Sequence, residues 1–155
     1  MTIEAAKIRR LAGVARYGVA LVRALWKLRA WRMRVRWDDG EFDGEAQLVS
    51  VCNSPRNGGM FPIAPGALLD DGWLDLVLVP KTPKRTVVAL LPRILRGTHV
   101  RHRRVTFVRT SRVTIESQPP TPLHADGEVL TEAAAGIEVT VLPRRITLLG
   151  AGPPD

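Results

Sequence analysis

Apolar residues near the start of the chain recur every three or four positions, as a helix that buries one face requires. They are Ile8, Leu11, Ala15, Val19, Val22 and Trp26. The opposite face of such a helix carries Arg9, Arg16, Arg23 and Lys27. The pattern predicts an amphipathic helix, and both packing on its own domain and lying on an anionic membrane remain open.

The period then changes from helical to alternating. Trp31, Met33, Val35 and Trp37 alternate with arginines, which predicts a strand with one buried and one cationic face. Residues 38–40, Asp-Asp-Gly, predict a turn. Residues 47–51 then supply the returning strand of a hairpin.

The stretch from Cys52 to Gly66 has little periodicity. It contains Asn57-Gly58-Gly59 and three prolines, which predict a fixed loop. Such a loop is either a plain connector or a carrier of function.

The middle of the chain predicts one more strand and one more helix. Residues 68–72 form a turn into a strongly apolar strand at 73–79. Thr82-Pro83 is a candidate helix cap and first helical position, the helix covers 85–96, and Gly97 ends it.

The remaining chain is a series of short β-branched segments separated by turn residues. They cover 100–108, 112–116, 129–130, 137–142 and 146–149. Many strands and few helices predict a mainly β (α+β) fold: a sandwich-like β domain with an N-terminal amphipathic helix and one internal helix. We expect a single domain over 1–155, with a basic helix in 1–30 and the β domain in 31–150.

Composition narrows the size class and the cellular compartment expected for this domain. At 155 residues and 45% hydrophobic content the chain suits one core, and it has no apolar run of the roughly 20 residues that cross a bilayer. Cys52 is the single cysteine, so an internal disulfide is excluded and a reducing compartment is expected. These features predict a cytoplasmic protein.

Positive charge is concentrated near the start. The net charge is +8, and residues 5–37 hold ten Lys or Arg and no acidic residue. Charge alone leaves nucleic acid, anionic lipid and phosphorylated substrates open as partners. An aromatic content of 5% disfavours nucleic acid as the partner, because proteins that bind single strands usually stack the bases on aromatic side chains.

The triplet Asp-Gly-Glu occurs three times, at 39–41, 43–45 and 126–128. The first two predict solvated residues of an acidic hairpin tip. The third follows a proline-rich approach, 119–125, and leads into a strand, so two carboxylates are held at a strand junction. This arrangement suits Asp126 as a general base supported by Glu128, with His124 as the rival base.

A series of motifs resembles one known family. The segments are Asn53, Asn57-Gly58-Gly59-Met60, Ile63-Ala64-Pro65-Gly66-Ala67, Asp70-Asp71-Gly72-Trp73-Leu74-Asp75 and His124-Ala125-Asp126-Gly127-Glu128. In order and spacing they resemble the C-terminal domain of the diacylglycerol kinase and sphingosine kinase family, particularly its soluble bacterial lipid kinases. The resemblance covers nearly the whole chain.

The resemblance implies a lid on a separate ATP-binding α/β domain. It gives Asp126 the role of deprotonating the lipid hydroxyl that attacks the γ-phosphate of ATP, and Glu128 a place in a magnesium-linked acidic network. Asn53, Gly58 and Gly59 belong to the substrate-side loop. It also implies a structural site for Mg²⁺ or Ca²⁺ made by the Asp71 carboxylate and the carbonyls of Leu68 and Trp73, which are suitable ligands for a hard cation.

The family's Gly-Gly-Asp-Gly-Thr nucleotide loop has no counterpart in these residues. We therefore expect a C-terminal half whose ATP-binding domain acts in cis or in trans, and which is inactive alone because phosphoryl transfer depends on groups around the phosphates. The expected partners are a lipid alcohol such as diacylglycerol and an anionic membrane, at whose inner face the protein would be peripheral. Nucleic acid is not expected, and a homodimer stays open. The alternative function is a non-catalytic basic module that binds lipid or membrane.

Overall fold

The structure is a computed structural model that describes residues 28–57 and 61–146. Its elements are β1 (Trp31–Trp37), β2 (Gly40–Cys52), β3 (Leu74–Pro80), α1 (Lys84–Leu95), a 3₁₀ turn η1 (His99–Arg101), β4 (Thr106–Thr110), β5 (Arg112–Ala125) and β6 (Glu128–Thr140). The helix predicted around 8–26 lies outside these residues. Within the described part, no helix is long and apolar enough to span a membrane.

All six strands form one antiparallel sheet in the order β4-β3-β2-β1-β5-β6. The strand β2 belongs to both halves of this sheet, since its first part, 40–46, pairs with β1 and its second part, 46–52, pairs with β3. The register shifts between Ala46 and Leu48, and a bulge of this kind bends a strand. The bulge therefore separates a β3-β4 half from a β1-β5-β6 half.

A corner closes the two halves on each other. Only Ser111 separates β4 from β5, although these strands lie in different halves. Asp38, after β1, accepts the Ser111 N–H on Oδ2 at 2.6 Å and donates its own N–H to Thr110 Oγ1 at 3.1 Å. The Ser111 N–H also lowers the pKa of Asp38.

The main core lies between the two halves. Its buried members are Met33, Val35, Ala46, Leu76, Leu78, Val113 and Ile115. A second, smaller cluster covers the outer side of β3, where Ala64 and Ala67 from the long loop pack on Val77. The predicted mainly β, sandwich-like fold with one internal helix is confirmed.

The first strand and the internal helix agree with their predictions. The strand β1 has the predicted bounds, α1 differs from 85–96 by one residue at each end, and Gly97 ends the helix with φ of 68°.

The prediction of Thr82 as the cap is wrong. Pro83 is the N-cap, and the Thr82 hydroxyl instead donates to Pro80 O at 2.8 Å because Thr82 is buried at the end of β3.

Other boundaries differ. The strand predicted over 100–108 starts only at Thr106, because residues 99–105 turn through bonds such as Val105 N to His102 O. The predicted strands 129–130 and 137–142 are merged in the single strand β6, which ends at Thr140 and so leaves out residues 141–142. Ile146 is described without strand geometry, and 147–149 lie outside the described residues.

A buried histidine fastens the long loop to the end of the helical region. His99 is 3% exposed, its Nε2 lies 2.9 Å from Ile63 O, and burial lowers its pKa. A lowered pKa means that the neutral ring stabilises the fold above the pKa of the unfolded chain, about 6.5, and that this stability is lost as the pH falls. We expect the unfolding free energy, measured in urea, to fall on acidification, and His99→Gln to flatten that dependence. An unchanged pH profile in the variant would contradict this role.

Candidate functional site

The first two Asp-Gly-Glu triplets lie in the β1-β2 hairpin. The turn holds only Asp38 and Asp39, since Trp37 pairs with Gly40, and the remaining acidic residues line β2. Their carboxylates form ion pairs: Asp43 with Arg32 at 2.7 Å, Glu41 with Arg34 at 3.2 Å and Glu45 with Lys81 at 2.7 Å. The prediction of solvated tip residues therefore holds for the exposed Asp39 in the turn and is wrong for Glu41, Asp43 and Glu45, which are paired residues of β2. They neutralise the cationic face of β1, where Arg36 also pairs with Glu116.

The third triplet lies at the tip of an arm. Pairing between β1 and β5 ends at Arg32 with Gln118, and beyond that point β6 is the one described strand that pairs with β5. The arm, residues 119–134, is this two-stranded extension. Prolines at 119, 120 and 122 fit there because, within residues 28–57 and 61–146, one edge of β5 has no neighbouring strand that needs their missing N–H.

The arm ends in a two-residue turn. Ala125 pairs with Glu128, so Asp126 and Gly127 form the turn, with φ of 49° and 93°. Tight hairpin turns of type I′ need positive φ at both central residues, which favours Asp-Gly. The sequence of the triplet thus specifies the geometry that exposes it.

Both carboxylates of the third triplet, Asp126 and Glu128, are exposed, as is His124. Among residues 28–57 and 61–146, neither Asp126 nor Glu128 has a hydrogen-bond or ion-pair partner. A carboxylate without a partner is available to accept a proton or to face a cation on an incoming surface. The structure therefore presents a pair of acidic groups, two positions apart, outward from the domain.

The turn before β3 holds Asp71, the residue that the resemblance gives to a metal. Its Oδ1 accepts the Trp73 N–H at 3.0 Å, which orients the carboxylate, and Gly72 has φ of 76°. Its Oδ2 is buried and has no hydrogen-bond partner in the described part of the chain. This oxygen makes an ion pair with Arg109 at 3.6 Å but no hydrogen bond among the described residues, and a buried carboxylate oxygen of this kind fits a hard cation such as Mg²⁺ or Ca²⁺.

An arginine that the sequence analysis did not identify links this turn to β3. Arg109 on β4 faces Asp75 across the sheet, with Nε 3.5 Å from Asp75 Oδ1, and its Nη1 lies 3.6 Å from Asp71 Oδ2. Its Nη2 also donates to Gly66 O at 3.1 Å. Asp75 is 1% exposed, and burial raises its pKa while Arg109 lowers it. One available signal was an acidic residue inside the otherwise apolar strand 73–79, since a buried charge needs a partner.

The remaining site residues lie in the long loop. Asn53 is exposed directly after β2, while Gly58 and Gly59 lie outside the described residues. The ends of that gap are joined by Asn57 and Phe61, whose backbone groups bond at 2.9 and 3.2 Å. In the described ranges no hydrogen bond or ion pair connects Asn53, Asp71 and Asp126 to one another, so their roles stay predictions.

A shallow depression of about 510 Å³ lies where β1 meets the base of the arm. Arg32, Arg34, Asp43 and Glu116 line it together with Met33 and other residues. Much of its charged lining is already engaged in the ion pairs of the β1-β2 hairpin. Six of its nine lining residues are charged or polar, whereas a pocket for an acyl chain is lined predominantly by apolar side chains.

The described residues form a mainly β, sandwich-like domain that carries two acidic turns, one before β3 and one at the tip of the arm. Residues 2–150 match the model of the YegS C-terminal NAD kinase beta sandwich-like domain. The chain belongs to this family. The resemblance to the C-terminal domain of the diacylglycerol kinase family is thereby confirmed.

Curated relatives carry the name diacylglycerol kinase. The protein of Staphylococcus epidermidis strain RP62A is 28% identical over 122 residues, which are 79% of this chain and 39% of that protein. The protein of Staphylococcus aureus strain RF122 is 27% identical over 122 residues, which are again 79% of this chain and 39% of that protein. The chain therefore spans about two fifths of the length of these relatives.

Solved structures show the same fold. Two are described as putative diacylglycerol kinases from Bacillus anthracis strain Sterne, each 20% identical to this chain. One has a TM-score of 0.64 and covers 85% of this chain and 46% of that chain. The other has a TM-score of 0.66, with coverages of 92% and 47%.

Proposed function

We propose that this chain is the C-terminal catalytic domain of an ATP-dependent lipid kinase that phosphorylates the hydroxyl of diacylglycerol or a related lipid alcohol. The observation that carries the proposal is the arm tip, where Asp126 and Glu128 are exposed and unpaired within the described chain. The names of the curated relatives support the chemistry. The ATP-binding domain acts in cis or in trans.

In the proposed reaction Asp126 accepts the proton of the lipid hydroxyl as its oxygen attacks the γ-phosphate of ATP. A general base works best close to that hydroxyl and shielded from bulk water. The exposed arm tip meets this need only when a second surface closes over it. Glu128 lies on the same tip and adds negative charge that suits a magnesium ion on the phosphates.

The Asp71 turn is the proposed site of a structural Mg²⁺ or Ca²⁺, held by the Asp71 carboxylate and the carbonyls of Leu68 and Trp73. A bound cation would neutralise charge in a region where Asp71 and Asp75 share Arg109. The Trp73 N–H keeps the Asp71 carboxylate turned for that purpose.

Titration of the 155-residue chain with Mg²⁺ or Ca²⁺ should raise its melting temperature. At a hundredfold excess over Kd the expected stabilisation is about 2.7 kcal/mol. Asp71→Asn should remove the shift, because a neutral amide is a weaker ligand for a hard cation. Asp70→Asn is the matched control, since Asp70 is an exposed neighbour in the same turn. Equal shifts in both variants would contradict the site.

The kinase proposal is tested by joining the chain to the coding sequence immediately upstream and measuring ATP- and Mg²⁺-dependent phosphorylation of diacylglycerol. The isolated chain should show none. If the upstream reading frame encodes no nucleotide-binding domain, the non-catalytic lipid- or membrane-binding module becomes the better account. The exposed arginines of α1 and the turn after it favour that second candidate independently of the arm.

A further inference from the structure

The middle of the sequence is as one-sided in charge as its start. Between Asp75 and Glu116 there is no acidic residue, and ten Lys or Arg residues are present. This segment contains α1, η1 and the turn that leads into β4. Its charge is therefore not balanced locally.

Most of this charge is also not balanced by the rest of the fold. Six exposed arginines make no ion pair with a carboxylate of residues 28–57 or 61–146, namely Arg85, Arg93, Arg96, Arg101, Arg103 and Arg104. The arginines of β1, in contrast, pair with Asp43, Glu41 and Glu116. In the described structure, free positive charge is thus concentrated at α1 and the turn after it.

Apolar side chains share the outer face of α1. Val88 is 50% exposed, Leu95 is 59% exposed, and Pro92 is exposed between them. Their spacing of four and three residues makes one stripe, on the side of the helix opposite the buried Leu90. Arg85 and Arg96 flank the stripe. We call these five residues, 85, 88, 92, 95 and 96, the outer α1 face.

The inner side of this region is fastened to the domain at its C-terminal end. A Cβ on Gly97 would lie 3.0 Å from Pro65, and His99 bonds to Ile63 O at 2.9 Å. The long loop thus contacts the chain just after α1, and Leu90 is buried on the inner side of the helix. The outer α1 face therefore points away from the domain.

We propose that the outer α1 face docks on the surface of a bilayer that contains anionic lipids, with Val88, Pro92 and Leu95 entering the headgroup region and the arginines contacting phosphates. An apolar stripe bordered by cations is the pattern of interfacial helices. Nucleic acid fits less well, because residues 84–104 include no Phe, Tyr or Trp on which bases would stack. The inference goes beyond the proposed kinase reaction, since docking needs neither ATP nor Asp126.

The test is co-sedimentation of the 155-residue chain with vesicles of phosphatidylcholine alone or with about one third phosphatidylglycerol. The chain should bind the anionic vesicles, and less so in high salt. Arg85→Gln with Arg96→Gln should weaken binding roughly 25-fold, at about fivefold per arginine near the surface. Val88→Ser with Leu95→Ser should also weaken it, which a purely electrostatic contact would not predict.

Two matched controls separate this face from other surfaces. Arg32→Gln with Arg34→Gln removes the same charge from the paired β1 face, and Leu142→Ser changes a leucine that is 64% exposed elsewhere. Both should bind vesicles as the wild type does. Unchanged binding of the α1 variants, with the loss confined to Arg16→Ala and Arg23→Ala, would overturn the proposal. So would tighter binding to duplex DNA than to anionic vesicles that is insensitive to Val88→Ser and Leu95→Ser.

Discussion

Asp126→Asn, introduced into the protein that includes the ATP-binding domain, is expected to lower kcat for diacylglycerol phosphorylation roughly 10²- to 10⁴-fold, the usual contribution of a general base. The amide cannot take the hydroxyl proton. Asparagine tolerates positive φ, so the turn at φ of 49° should keep its geometry. The KM for ATP should change little, because most nucleotide contacts are proposed to lie on the other domain.

The chain offers a matched control for this substitution. Asp39 begins an identical Asp-Gly-Glu triplet at another hairpin turn, and it is exposed as well. Asp39→Asn should leave kcat unchanged, and both variants should unfold at the wild-type temperature. A similar fall in activity for both, or full activity of Asp126→Asn, would remove Asp126 from the reaction.

Arg109→Gln is expected to lower the unfolding free energy by about 1–3 kcal/mol at neutral pH. Breaking a buried pair usually costs about 3–5 kcal/mol, and the smaller figure reflects the exposure of nearly half of the Arg109 side chain. The loss arises because Asp75 would keep a buried charge with its nearest cation removed. Urea denaturation measures it, and Arg112→Gln is the control, since its pair with Glu138 is exposed on both sides.

The effect of Arg109→Gln should depend on pH in a definite direction. Burial raises the pKa of Asp75 above 3.8, so protonation of this group favours the folded state and its contribution is lost as the pH rises through the folded value. The penalty should therefore shrink in acid. When Asp75→Asn is already present, the stability penalty of adding Arg109→Gln should largely disappear at neutral pH. The interaction would be contradicted if the loss of unfolding free energy did not depend on pH and if the losses of the two single variants simply added in the double variant.

Sequence patterns predicted those elements whose local signals agreed with their environment. The alternation of Trp31 to Trp37 gave a strand with a buried face, and Gly97 ended α1 because a helix commonly stops at a residue with positive φ. The strand β2 was predicted too short, since its Asp-Gly-Glu triplets resemble turns. From Gly40 onward the triplet residues belong to β2 because they pair with β1, where Glu41 and Asp43 form ion pairs with arginines.

The residues of the candidate site also divide into those with a local sequence signal and those that depend on contacts between distant residues. Asp126, Glu128 and Asp71 were proposed as site residues because each belongs to a short local motif, and the structure gives those motifs the turns that their glycines predict. Their roles stay predictions. Arg109 was missed because its importance arises from three contacts with Gly66, Asp71 and Asp75, which are distant in sequence. The acidic Asp75 in an apolar strand indicates that a cationic partner is needed, but no local pattern identifies Arg109 as that partner.

The open edge of the arm bears on solubility. A strand without a neighbour offers free N–H and C=O groups that another chain could pair with, which is a common start of aggregation. On this edge of β5, prolines at 119, 120 and 122 supply no N–H donor. On the β5 side of the arm, the residues that lead to the acidic tip therefore also disfavour edge-to-edge pairing between copies of the protein, whereas β6, the edge strand of the described sheet, has no proline.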